Sequence, residues 1–152
     1  MPTVSVIIHT FNNEDFIAET VESVISQTYN DYEIIVVDDG SEDGTRDALL
    51  PYMQGIRYHY KENGGIASAK NVGISLSNAE FVAFLDHDDL WVPEKLKVQM
   101  EHFNSNSQIG LVYAKYTSFR NDKELRTKPE KGYSGWIFKE LLSKSFIQTS
   151  TV

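Results

Sequence analysis

Three short runs constrain this chain more than anything else in it. Val4-Ser5-Val6-Ile7-Ile8, Glu33-Ile34-Ile35-Val36-Val37 and Phe81-Val82-Ala83-Phe84-Leu85 are nearly continuous in apolar side chains, mostly β-branched or aromatic. Such runs read as strands, and strands apolar on both faces belong in a parallel sheet covered by helices. Helical periods lie between them. Phe16, Ile17, Val21, Val24 and Ile25 share one helical face, with Asn13 placed to cap it. Thr45 to Met53 and Ile66 to Leu76 read as further helices, and Pro93 suits the start of a helix running to about Phe103. Ile56 to Tyr60 reads as a strand nearer an edge, and Leu111 to Phe119 as a fifth strand. Lys123 to Tyr133 reads as a polar loop and Trp136 to Leu142 as a last short helix. The expected architecture is one α/β domain over residues 1–152, Rossmann-like, with a mostly parallel central sheet flanked by helices. Ligands of such sheets bind at the carboxyl ends of the strands. That is where the unusual polar residues fall: Thr10 after the first strand, Asp38 and Asp39 after the second, Asp86 and Asp88 after the fourth.

Composition narrows the function classes. The formal charge is −8, from 14 basic and 22 acidic residues, so a nucleic-acid backbone is a poor partner. From Lys115 onward there are 8 basic and 4 acidic residues, and the rest of the chain carries nearly all the acid; the basic part reads as solvated surface. With no cysteine, disulfides and thiolate metal sites are excluded. No apolar run approaches the roughly 18 residues of a membrane helix, and no secretory signal precedes the first strand, so the expected compartment is the cytoplasm. The four histidines show no i, i+4 pairing that would suit a metal. Trp91 and Trp136 are expected to pack in the core or at its rim rather than stack on a ligand.

Asp86-His87-Asp88 follows a buried strand. Hard cations such as Mg²⁺ or Mn²⁺ take carboxylate oxygens and keep positions open for substrate phosphates. A second acidic strand end, Asp38-Asp39-Gly40, could equally be a helix-capping turn, but two such ends in one sheet argue for a site. A phosphoacceptor receiver domain would place its acidic pair after the first strand, and a haloacid-dehalogenase-like phosphatase would place Asp-x-Asp near the N-terminus. Neither fits this order of motifs.

Four blocks, in order and with fitting spacing, resemble family-two glycosyltransferases. They are Ser5-Val6-Ile7-Ile8-His9-Thr10-Phe11-Asn12, Ile34-Ile35-Val36-Val37-Asp38-Asp39-Gly40-Ser41, Asn63-Gly64-Gly65-Ile66-Ala67-Ser68-Ala69-Lys70-Asn71 and Phe84-Leu85-Asp86-His87-Asp88-Asp89. The resemblance implies a GT-A fold and inverting transfer of a sugar from a nucleotide donor, commonly a UDP-sugar, to a saccharide, lipid-linked or protein acceptor. It implies that Thr10, Phe11 and Asn12 line the nucleobase pocket and that Asp39, with Asp38 beside it, meets the base. It places Lys70 near the base or phosphates, where the family usually has Arg, and Asp86 at the ribose or the metal. Asp88 would coordinate a divalent cation, Mn²⁺ or Mg²⁺. Gly64 and Gly65 suit a close approach of the backbone to a ligand and a plain turn equally well. His87 is counted with the nucleotide-contacting loop, although its ring is expected to turn away while Asp86 and Asp88 converge. His9 stands where the family often has Pro. The family's general base is an acidic residue well after Asp-x-Asp. Glu124, Glu130 and Glu140 lack its surrounding pattern, so the base is expected outside this chain. The chain then reads as the donor-binding part of a longer protein, cytoplasmic or peripheral at the inner face of a membrane. The rival reading is a binding-only module without turnover.

Overall fold

The computed structural model describes residues 1–120, 123–124 and 132–152. Four parallel strands form the main sheet: β1 (Val4–Thr10), β2 (Tyr32–Asp38), β3 (Arg57–Tyr60) and β4 (Phe81–Asp86), in the order β3-β2-β1-β4. Helices α1 (Ile17–Ile25), α2 (Thr45–Leu49), α3 (Ile66–Leu76) and α4 (Lys95–Ser105) connect or follow them. Two short strands, β5 (Phe119–Arg120) and β6 (Lys123–Glu124), make a separate antiparallel pair, and α5 spans Phe138–Ser143.

The strict alternation of a strand splits the core into two layers. Val4, Val6 and Ile8 of β1, Ile34 and Val36 of β2, and Ala83 and Leu85 of β4 face one way, against Ile17, Val21 and Val24 of α1 and Leu96 and Met100 of α4. Register stacks them: Val6 lies beside Ile34 and Ala83, and Ile8 beside Val36 and Leu85. Ile35 and Val37 face the other way and meet Ala69 of α3. Ile7, on that same side, sits against Gly73. A side chain at Gly73 would run into the Ile7 methyl, so the glycine sets how closely α3 approaches β1.

Several expectations need correction. Leu111 to Phe119 is not a fifth strand of the sheet: only Phe119 joins a ladder, while Leu111 and Tyr116 are exposed. It is tied to the fold by an Ala114 N–H donated to the Thr151 carbonyl at 3.0 Å and by Gln99 Nε2–H donated to the Val112 carbonyl at 3.1 Å. Asn13 makes no side-chain cap on α1. Its amide instead donates to the His87 carbonyl at 3.1 Å, across the sheet's carboxyl edge. Phe16 and Ile25 are exposed, so the buried face of α1 is narrower than the spacing predicts. Trp91 is buried as expected, but Trp136 is 88% exposed. Most of the loop read over Lys123 to Tyr133, residues 125–131 with Glu130 among them, lies outside the described residues.

Lys95 is an unusual core member. Its ammonium sits 3.9 Å from the centre of the Trp91 ring and donates to Gln99 Oε1 at 2.6 Å and to the Val152 carbonyl at 3.1 Å. Burial pulls its pKa down from 10.5 to about 7. The unfolded chain therefore binds more protons than the folded one between those values, and stability rises with pH across that window. Tyr32, Tyr52 and Tyr58 all have pKa values pushed above the usual 10, so they do not interfere below it. Urea unfolding should show a gain of about 1–2 kcal/mol from roughly pH 7.5 to 9.5. Lys95→Met should flatten that slope.

Candidate functional site

The strand order creates the site. The chain winds outward from β1 through β2 to β3, then returns to place β4 on the other side of β1. The reversal opens a crevice beyond the carboxyl ends of β1 and β4, the usual ligand position in open α/β sheets. Register sets His9 beside Asp86 and Thr10 beside Asp38, so three acid-bearing or polar strand ends meet there.

Asp86 and Lys70 form its centre. Alternation turns Asp86 toward the α3 side, and Lys70 comes from the second turn of α3. The Lys70 ammonium donates to Asp86 Oδ1 at 3.1 Å. Both remain partly open to solvent, with side-chain exposures of 20% and 33% for Lys70 and Asp86. His9 is buried, with Nδ1 3.6 Å from the same carboxylate oxygen and no hydrogen-bond partner among the described residues. Burial, and next the Lys70 charge, lower its pKa below 6.5, so the ring is neutral at pH 7. The His9 and His87 rings stack with centroids 5.8 Å apart.

His87 does not turn out into solvent. Its carbonyl accepts from Asn13 and, at 2.9 Å, from the buried Thr20 hydroxyl, which fixes the backbone. The ring then lies over β1, with Nδ1 3.2 Å from Thr10 Oγ1 and 3.4 Å from the Phe11 N–H. Asp88 is exposed and accepts no hydrogen bond from the described residues. Among those residues no three His, Asp or Glu side chains are grouped to hold a metal. A single open carboxylate beside an ion-paired one suits a cation of the Mg²⁺ or Mn²⁺ type, which usually keeps waters and takes substrate phosphates as further ligands.

Asp38, the last residue of β2, and Asp39 after it both find partners within the fold. Asp38 is buried, and its carboxylate accepts from the Ser41 N–H at 2.8 Å and the Tyr58 hydroxyl at 2.6 Å. Asp39 is buried too. It pairs with the Lys61 ammonium and accepts the N–H groups of Gly64 at 3.0 Å and Gly65 at 2.7 Å. Burial pushes its pKa up, but the Lys61 and glycine hydrogen bonds outweigh that and hold it below 3.8. Both aspartates thus shape loops with their oxygens already engaged. Gly65 has φ +84° and open space where a side chain would point.

The loop after β1 is stapled to the loop after β2. Asn12, at φ +47°, donates its N–H to Ser41 Oγ at 2.9 Å, and its side-chain oxygen accepts the Glu42 N–H at 2.8 Å. Asn13 N–H donates to Thr45 Oγ1 at 2.8 Å, and the Gly44 N–H donates to Glu14 Oε2 at 2.6 Å. Thr10 is fully buried beneath this staple, whereas Phe11 is 43% exposed above it. The expected site residues therefore sort by exposure. Phe11, Asn12, Gly65 and Asp88 are exposed and Lys70, Asp86 and His87 partly so. Thr10, Asp38 and Asp39 are buried.

Sequence reasoning missed Lys61 and Ser150. Lys61 follows β3 directly, so its place next to the Asp39 turn was readable once β3 was paired with β2. Ser150 reaches the site only through tertiary folding: the Asp86 N–H donates to its Oγ at 3.0 Å.

Known proteins resemble this chain in sequence and in fold. An uncharacterized glycosyltransferase of Rickettsia typhi is 39% identical over 136 residues, which is 88% of this chain and 43% of that protein. A putative teichuronic acid biosynthesis glycosyltransferase, TuaG of Bacillus subtilis, is 43% identical over 110 residues, 70% of this chain and 44% of the relative. Among solved structures, Staphylococcus aureus TarS 1-349 in complex with UDP superposes with a TM-score of 0.65 at 31% identity, covering 69% of this chain and 32% of that one. The chain thus spans less than half the length of these relatives. Its parallel sheet and the likeness to TarS make the fold GT-A. The family model for glycosyl transferase family 2 matches residues 5–150, from the first residues of β1 to the serine behind Asp86, and the chain belongs to that family.

Proposed function

We propose that this chain is the donor-binding part of an inverting glycosyltransferase that takes a sugar from a nucleoside-diphosphate carrier, UDP by preference, and passes it to a hydroxyl acceptor. The observation that carries the reading is the juxtaposition of Lys70, Asp86 and the open Asp88 at the β1–β4 crevice. TarS, which superposes on this chain, has been solved with UDP. The teichuronic acid relative supports a role in cell-surface polysaccharide synthesis.

In this reading Phe11 packs on the face of the nucleobase, and the open backbone at Gly65 lets the ligand approach it. Asp39 works at one remove, by holding that turn in place. Lys70 faces the phosphates as a point charge, and its pairing with Asp86 keeps the ammonium fixed until the donor arrives. Asp88 would hold Mn²⁺ or Mg²⁺, with Asp86 as a second carboxylate nearby. When bound, the cation offsets the charge that grows on the departing diphosphate. The acceptor hydroxyl needs a general base, which we assign to a region outside this chain, as the chain's share of its relatives' length supports. We place the protein in the cytoplasm, at the membrane surface where the acceptor is lipid-linked. No described helix is long and apolar enough to cross a membrane.

Calorimetry with UDP, GDP and ADP at saturating Mn²⁺ tests the donor class. UDP should bind at least about tenfold more tightly than the other two, a difference of about 1.4 kcal/mol. Equal affinity for all three would overturn the base preference, and no binding of any would overturn the reading.

A further inference from the structure

The Asp86–Asp89 turn is strapped from behind by a segment with no part in the proposed reaction. A short 3₁₀ turn, Thr149–Thr151, runs alongside β4. The Asp86 N–H donates to Ser150 Oγ at 3.0 Å, and, against the burial that raises the Asp89 pKa, the Ser150 hydroxyl lies near enough to the Asp89 carboxylate to favour its charged form. The Asp89 N–H donates to the Asp86 carbonyl at 3.1 Å, closing a tight turn with Asp88 inside it. One hydroxyl therefore anchors the first residue of the turn and lies beside the last.

The strap is itself held at three successive carbonyls. That of Ser150 accepts Trp91 Nε1–H at 2.7 Å. That of Thr151 accepts Gln99 Nε2–H at 2.9 Å and the Ala114 N–H at 3.0 Å. That of Val152 accepts the Lys95 ammonium. Trp91, Lys95 and Gln99 are all buried, as are Ser150 and Thr151. Buried donors converging on neighbouring carbonyls leave the segment little freedom, because each broken bond would strand a polar group away from water.

We infer that Ser150 is a positioning residue, which holds the Asp86–Asp89 turn in the shape that presents Asp88 to the cation and the donor diphosphate. The inference rests on the reading of Asp88 given above. The Ser150 hydroxyl touches neither ligand. Serine suits the place because one oxygen can accept from an amide while its proton goes to a carboxylate. Alanine leaves the Asp86 amide without that partner and the Asp89 carboxylate without that neighbour, and threonine keeps both.

Two measurements on the full chain test this with wild type, Ser150→Ala and Ser150→Thr. The first is amide hydrogen exchange without metal. The Asp86 and Asp89 amides should exchange about tenfold faster in Ser150→Ala, with β1 and β2 unchanged and Ser150→Thr near wild type. The second is the Mn²⁺ concentration that gives half-maximal UDP binding. It should rise about five- to tenfold in Ser150→Ala, return in Ser150→Thr, and leave UDP affinity at saturating Mn²⁺ within about twofold. Unchanged exchange in Ser150→Ala overturns the inference whether or not UDP binds. Faster exchange with an unmoved Mn²⁺ midpoint also overturns it, because Ser150 would then serve the fold alone. A wild-type chain that binds no UDP at any Mn²⁺ concentration overturns the donor reading and this inference together, and the wild-type titration alone tells that case from the others.

Discussion

Asp39→Ala should cost the fold about 2–4 kcal/mol and abolish nucleotide binding with it. The carboxylate is 3% exposed and gathers the Lys61 ammonium and two glycine amides around itself. Its removal strands three donors, one of them charged, at a place water hardly reaches. The Lys61 side chain is 17% exposed and can swing partly into solvent, which keeps the cost below that of a fully buried pair. Asp39→Asn keeps one acceptor oxygen for the glycine amides and should lose about half as much. Acid should have a related effect on the wild type. Because the folded pKa of Asp39 lies below its ordinary value of 3.8, its contribution is intact above that value and fades as pH falls through the folded pKa. Urea midpoints of the two variants, and of wild type from about pH 5 downward, check all three statements.

Asp88→Asn should separate binding from stability. Asp88 is exposed and accepts no hydrogen bond from the described residues, so the substitution should move the unfolding free energy by less than about 0.5 kcal/mol. Its effect on UDP affinity in Mn²⁺ should be about 100-fold, or about 2.7 kcal/mol. A neutral amide offers the cation one weaker oxygen and no charge, and hard cations depend on both. The contrast with Asp39 is informative. The two aspartates look alike in their motifs, yet one is buried and holds a loop together while the other is exposed, as the proposed ligand contact requires.

Much of this was legible in the residues themselves. β1 and most of β2 are buried on both faces, and β4 is buried on one and half-buried on the other, so their apolar runs are almost uninterrupted and their ends stand out. Helix α3 covers Ile66–Leu76, the span its residues suggest, because Gly65 starts it at φ +84° and Ser77 ends it extended. Leu111 to Phe119 shows where such reading stops. Its alternation suits a strand, but a strand exists only where a neighbour's backbone accepts it, and periodicity carries no information about neighbours. Asn13 makes the same point on a smaller scale. An Asn before an apolar helical face signals a cap, yet the His87 carbonyl lies within its reach and takes the amide. The division of the site into buried and exposed residues was hidden for that reason too. Nothing local distinguishes Asp39, enclosed by Lys61 and the 63–65 turn, from Asp88, which faces water. Ser150 lies 64 residues from Asp86 in sequence and announces itself only through the fold.

The central claim is that the β1–β4 crevice binds a nucleoside diphosphate through a cation held at Asp88. Its most direct test is a calorimetric titration of the wild-type chain with UDP, once in Mn²⁺ and once in EDTA. The account predicts one-to-one binding in Mn²⁺ that weakens by about 100-fold when the cation is removed. Equal affinity in both buffers, or no binding in either, would contradict it.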